Sequence, residues 1–157
     1  MRISFSNIFI LDAYAHCDIP CGIYDPHGAQ MAAHTVIRMI HLLSEVDRAD
    51  EVKAEHDIAR MTHVKEEHGH IVEDELGTLE NDYFKPEHYE KFPELKGLLE
   101  EGVKLSINVR QHVDMDAANK LLEIVMKIAE IFYKTKGLES VRVKAPYPTG
   151  FDIVVQK

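Results

Sequence analysis

The sequence predicts an all-α fold: a four-helix bundle with an N-terminal metal-binding hook and a short C-terminal tail. Three observations predict it. Apolar residues recur at helical spacing in four separate stretches. Aspartates, prolines and a glycine stand where those stretches begin and end. The connections between them are short, which favours antiparallel neighbours.

The elements follow in order. Asp25 is placed to cap the first helix and Pro26 to sit in its first turn. Ala32, Val36, Met39, Ile40, Leu43 and Val46 then form a stripe ending near Asp47. The second helix runs from about Asp50 to Leu79, with Ala54, Ile58, Met61, Val64, Ile71, Val72 and Leu76 on its apolar side. Gly69 inside it costs about 1 kcal/mol relative to alanine. Asn81 to Phe92 reads as an aromatic, proline-bearing connection. Pro93 opens the third helix, which carries Leu95, Leu98, Leu99, Leu105 and Val109.

Asp114 or Asp116 caps the fourth helix, whose stripe is Ala118, Leu121, Leu122, Val125, Ile128, Ala129 and Phe132. Lys134 and Lys136 favour its C-terminal dipole, and Gly137 can close it. Beyond it, Val141 to Lys144 alternates, Pro146 to Gly150 is turn-rich, and Phe151 to Val155 is β-prone, which together predict a small hairpin. The expected organisation is a leader over 1–15, a bundle domain over 16–137 and an extension over 138–157.

Composition narrows the function classes. A chain of 157 residues makes one domain, and a net charge of −9 without a basic stripe argues against nucleic acid as a partner. No apolar run approaches the roughly 18–20 residues a bilayer span requires, so no membrane partner is expected. Two cysteines cannot make a disulfide framework.

Both cysteines lie in one run, His16-Cys17-Asp18-Ile19-Pro20-Cys21-Gly22-Ile23-Tyr24. Ala13-Tyr14-Ala15 before it has the small-x-small pattern of a processing site. The apolar stretch Ile8 to Leu11 is short for a secretory signal and is followed by Asp12, so the reading is a pro-segment removed by a maturation peptidase, and a cytoplasmic protein. Secretion and a retained N-terminus are the alternatives.

Cleavage after Ala15 would make His16 the N-terminus. Its amine, the Cys17 amide nitrogen and the Cys17 thiolate can then chelate one metal, and a turn at Pro20 and Gly22 lets Cys21 supply a fourth in-plane donor. The His16 imidazole can reach an axial position. A plane of two nitrogens and two sulfurs favours nickel(II) or copper(II) over tetrahedral zinc. Spacing alone leaves other readings open: two plain thiols, half a zinc site, or a small redox disulfide.

The run from His16 to Pro26 resembles the nickel hook of the nickel-dependent superoxide dismutases, whose pattern is HCDxPCGxYDP behind a short leader. Asp82-Tyr83-Phe84-Lys85-Pro86 and Phe92-Pro93-Glu94-Leu95 also resemble that family, and the similarity spans roughly Ala15 to Lys136. It implies that superoxide is the substrate and that one nickel ion per subunit is bound by His16, Cys17 and Cys21. It further implies that Tyr24 and Tyr83 flank the face where superoxide approaches, that Asp18 holds the hook, and that six bundles form a homohexamer. The alternative is a noncatalytic bundle that binds metal through the same hook.

Two positions depart from the family pattern, in which a glutamate and an arginine orient the axial histidine. Ala32 stands at the first and His68 at the second, so His68 is the candidate replacement. His56, His63 and His70 on the second helix, with His34 and His41 on the first, read as solvated or subunit-contact residues. Glu67 and His70 give a single Glu-x-x-His pair, where a di-iron bundle needs two. Lys85 and Lys91 are candidates for a locally positive entrance.

Overall fold

The structure is a computed structural model and describes residues 21–157, so the predicted leader and His16, Cys17 and Asp18 lie outside the described residues. Its elements are α1 (His27–Ser44), α2 (Glu51–Thr78), a π-helical turn (Leu79–Tyr83), α3 (Pro86–Lys91), α4 (Leu95–Gln111), α5 (Met115–Thr135), β1 (Ser140–Lys144) and β2 (Asp152–Gln156).

Short polar side chains start these helices, because the first-turn N–H groups have no partner within the helix. Asp25 Oδ1 accepts from the His27 N–H at 2.7 Å, Asp50 from Lys53 at 3.1 Å and Asp114 from Ala117 at 2.9 Å. Asp114 rather than Asp116 is therefore the cap of α5. That helix ends in a turn closed by Gly137, whose φ of 71° is left-handed, with the Leu138 N–H reaching back to the Tyr133 carbonyl at 2.9 Å.

The long helices α1, α2, α4 and α5 form the bundle, α1 and α4 each packing against both α2 and α5. Val36, Val72, Leu76, Leu99, Leu121, Ile128 and Phe132 are fully buried between them. Each such side chain contributes about 1.5–3 kcal/mol on leaving water. The expected four-helix bundle is the observed core of the fold.

Three details differ from the sequence expectation. Helix α1 stops at Ser44 rather than near Asp47. The connection expected over Asn81 to Phe92 contains the short helix α3, with Pro86 in its first turn and the Lys85 N–H bonded to His88 Nδ1 at 3.1 Å. A helix this short offers no periodicity to read. Helix α4 begins at Leu95 rather than at Pro93.

Lys65 is 1% exposed in α2. Its ammonium donates to the carbonyls of Val109, Arg110 (2.8 Å) and His112 (3.0 Å), closing the C-terminus of α4. Gly69, one turn further on, is where Arg110 crosses: a β-carbon there would lie 2.5 Å from Arg110 Cγ. The modest helix penalty of that glycine is the cost of a close approach.

The tail forms the expected antiparallel hairpin, with Val141 opposite Val155 and Val143 opposite Ile153. It folds back on the bundle. The buried amide of Gln30 in α1 pairs with β2 as a strand would: Nε2 donates to the Val154 carbonyl at 3.0 Å, and Oε1 accepts the Val154 N–H at 2.6 Å. Arg142 in β1 reaches Glu130 and Glu123 of α5, each at 2.7 Å.

His34 is therefore not on a solvated face, as its spacing suggested. It is buried at 3% exposure beneath the hairpin, with Nδ1 2.7 Å from Thr149 Oγ1 and Nε2 3.2 Å from the Asp152 carbonyl. A carbonyl can only accept, so Nε2 carries the proton and Nδ1 accepts from the threonine.

Candidate metal centre

The described end of the hook, residues 21–24, leads directly into the cap of α1. Gly22 has φ 72°, a left-handed turn residue of the kind expected after Pro20. That turn brings the Ile23 N–H to 3.4 Å from Cys21 Sγ, where sulfur is the acceptor. The same sulfur lies 3.9 Å from the Ile23 carbonyl, so the turn holds it between an N–H and a C=O, and once deprotonated it is a soft metal donor. Cys21 is exposed and Ile23 is 79% exposed. The donor chemistry of this end thus fits a thiolate-bound nickel ion.

Tyr24 packs its ring against Tyr83, centroids 5.5 Å apart at 49°. Tyr83 arrives from the far end of α2 through the π-helical turn, where the Phe84 N–H bonds the Leu79 carbonyl at 2.8 Å. The wider turn re-aims the side chains at the end of the helix, and such turns recur at functional sites. The structure therefore brings Cys21, Tyr24 and Tyr83 to one end of the bundle.

Tyr83 is held on several sides. Its ring lies 4.7 Å from that of Phe132 and stacks on His88 at 5.7 Å and 25°. Its hydroxyl lies 2.6 Å from Thr135 Oγ1. Lys136 Nζ stands 5.1 Å from the Tyr83 ring centre and 5.0 Å from that of Phe132. His88 and Thr135 were not singled out by sequence reasoning, and Lys136 was read only as favouring the C-terminal dipole of the fourth helix. Thr135 and Lys136 follow the apolar stripe of α5, and only the packing of α5 against the π-turn joins them to Tyr83.

Lys85 donates to the Asp82 carbonyl at 3.0 Å, and Lys91 sits over Phe92 at 5.5 Å. Of the two positions that depart from the family pattern, Ala32 is buried and carries no polar side-chain atom. His68 is half-buried, and its Nδ1 donates to the Val64 carbonyl one turn back at 2.9 Å. Further along α2, Glu75 rests its carboxylate on Gly28 in the first turn of α1: a β-carbon on Gly28 would lie 2.8 Å from Glu75 Cδ and Oε1 and 3.1 Å from Oε2. Among the described residues, no three or more His, Cys, Asp or Glu side chains are grouped to hold a metal ion.

Comparison with known proteins finds relatives over most of the chain. The family described as nickel-containing superoxide dismutase matches residues 11–136. A superoxide dismutase [Ni] of Streptomyces seoulensis is 35% identical over 122 residues, 78% of this chain and 88% of the relative. That of Streptomyces coelicolor is 34% identical over the same span. A crystal structure of a nickel-containing superoxide dismutase with its nickel ligation in the oxidised state superposes with a TM-score of 0.69 at 34% identity, covering 78% of this chain and 99% of that one. A native nickel superoxide dismutase structure gives the same TM-score of 0.69 at 32% identity.

Proposed function

This chain belongs to the family of nickel-containing superoxide dismutases, and on that premise we propose that its nickel is held by a processed N-terminal hook. The enzyme converts two superoxide anions and two protons into oxygen and hydrogen peroxide. The residues that would hold the nickel are His16, through its amine and imidazole, Cys17, through its amide nitrogen and thiolate, and Cys21, through its thiolate. Asp18 steadies the hook. The amine exists only after cleavage behind Ala15, which assigns residues 1–15 to a leader and the cut to a maturation peptidase. The extension, residues 138–157, lies beyond the matched region.

Bound at the hook, nickel would supply the one-electron couple that dismutation of superoxide needs. The protein supplies the approach and the protons. Tyr24 and Tyr83 flank the entry; the Tyr83 oxygen, whose proton goes to Thr135, accepts from water, and that water orders the anion and delivers the protons peroxide requires. The Lys136 ammonium beside Tyr83 draws an anionic substrate to this end of an otherwise acidic chain. The observation that carries the reading is the Tyr24–Tyr83 contact, which joins the hook to the end of α2. His68 is retained as a candidate support of the hook through its Nε2.

The assembly we propose is a homohexamer with hooks at subunit contacts, where the exposed Ile23 would be covered. A cytoplasmic location is the matching expectation, since Asp12 interrupts the short apolar stretch of the leader. Native mass spectrometry of the protein from its own host tests these points together. A subunit beginning at His16, with one nickel and six copies, is the expected result. A metal-free subunit that retains Met1 would overturn the proposed ligand set.

A further inference from the structure

Tyr24 leads into a helix whose head has little apolar grip. The first two turns of α1 bury only small apolar side chains, Ala29, Ala32 and Ala33, and larger ones begin at Val36. An alanine removes less apolar surface from water than Val, Leu or Ile, so packing holds this end less firmly than the rest.

What holds it instead is polar, and it comes from the C-terminal hairpin, beyond the residues the family matches. Gln30 is 0% exposed and gives both ends of its amide to the Val154 backbone, at 3.0 and 2.6 Å. One turn on, His34 Nε2 meets the Asp152 carbonyl at 3.2 Å. Four helical residues rise about 6 Å, and two strand residues advance by about the same amount. Strand β2 therefore runs antiparallel to α1 in matched register, with its end toward the hook. At that end Tyr133 of α5 is buried. Burial pushes its phenol pKa up, the Asp25 carboxylate adds to the shift, and a backbone hydrogen bond from Gln156 opposes it. Asp25 caps α1 and adjoins Tyr24.

The hairpin is also tied to α5, where Arg142 of β1 lies 2.7 Å from both Glu123 and Glu130. The contacts close a loop: α1 to β2 through Gln30, β2 to β1 through their ladder, and β1 to α5 through Arg142. Helix α5 carries the Thr135 that holds Tyr83, and α1 leads back to Tyr24 on the same ring.

We propose that the C-terminal hairpin braces the metal centre, with Gln30 as its positioning residue: the buried amide fixes the head of α1, and with it the ring of Tyr24 on Tyr83. The proposal rests on the function given above for this end of the bundle.

Processed, nickel-loaded proteins test it: wild type, Gln30→Leu, Arg142→Gln, Leu121→Ala, Tyr24→Ala and the double variant of Gln30→Leu with Tyr24→Ala. The readouts are amide hydrogen exchange over residues 22–31, nickel per subunit and the rate of superoxide decay. Gln30→Leu removes both hydrogen bonds and leaves an apolar side chain of similar size. It should keep its nickel, exchange faster over 22–31 but not over 118–132, and act about 10- to 100-fold more slowly. Leu121, buried near the opposite end of α5, controls for stability. Leu121→Ala should melt at a lower temperature yet leave the exchange at 22–31 and the rate unchanged. In the Tyr24→Ala background Gln30→Leu should slow the reaction little further, because it acts through that ring. Arg142→Gln opens the loop at the protein surface without touching α1. It should raise exchange over 22–31 and lower the rate in the same direction, and it decides the matter should Gln30→Leu fold poorly. Unchanged exchange or an unchanged rate in the deciding variant, or full additivity with Tyr24→Ala, overturns the brace and leaves the dismutase reading standing. A nickel-loaded wild type that leaves superoxide untouched overturns that reading and this proposal with it.

Discussion

The Tyr83 hydroxyl lies 2.6 Å from Thr135 Oγ1, and that same oxygen donates to the Phe132 carbonyl at 2.7 Å. Because the threonine proton is directed to a carbonyl, the phenol must be the donor to Thr135. The phenol oxygen is left as an acceptor, and its orientation is fixed from α5. Thr135→Val should remove the acceptor while keeping the volume. Thermal unfolding should show a loss of about 1–2 kcal/mol, from an ungratified, partly buried hydroxyl. Superoxide decay should slow, with Tyr83→Phe slowing it in the same direction. An unaltered rate in both would remove Tyr83 from the mechanism.

The sulfur ligands and the histidine separate by what each substitution leaves behind. Cys17→Ser or Cys21→Ser should abolish nickel binding, measured as metal per subunit, because a hydroxyl does not replace a thiolate donor. His16→Ala keeps an amine and an amide and should retain nickel with a much reduced rate. Full activity in any of the three would sink the proposed ligand set.

His34 makes the attachment of the tail depend on pH. Burial pushes its pKa below the ordinary 6.5, with the hydrogen bond to the Asp152 carbonyl opposing that shift. The unfolded chain therefore binds the proton more readily than the folded one. Stability contributed here is complete above 6.5 and declines as pH falls below it toward the lowered value. Melting temperatures across pH 5 to 8 (roughly the histidine range) should fall on acidification, and less steeply in His34→Gln. Equal slopes for the two proteins would contradict the assignment.

Lys65 closes α4 with one ammonium shared among three carbonyls. Lys65→Met preserves the length of the side chain and leaves those acceptors without their donor. Denaturant unfolding should show a loss of about 2–4 kcal/mol, since each buried acceptor left unsatisfied costs on the order of 1–3 kcal/mol.

Lys136 predicts a salt-dependent rate. Lys136→Glu should lower the rate constant for superoxide and weaken or reverse its decline with ionic strength, because steering of an anion is screened by salt. Lys85→Glu with Lys91→Glu tests the entrance expected from the sequence in the same assay. The ammonium of Lys136 lies on the Tyr83 ring, and its reversal should have the larger effect.

Much of this was legible in the chain itself. The stripes of α1, α2, α4 and α5, the start of α2 near Asp50, a cap at Asp114 or Asp116 and the presence of a hairpin are local properties, written in spacing and in residues such as Gly137. The candidate ligands were legible for the same reason: His16, Cys17 and Cys21 form one chelating run, and Gly22 turns it. Tertiary structure alone decided what meets that run. Tyr83 depends on a π-turn that ends α2, and Thr135 and Lys136 reach it because α5 packs there. Glu75 meets Gly28 through the packing of α2 on α1, and His34 is buried because a distant hairpin folds over it. Periodicity reports which face of a helix is apolar. It carries no information about which distant segment covers a polar side chain, because that depends on how whole helices pack.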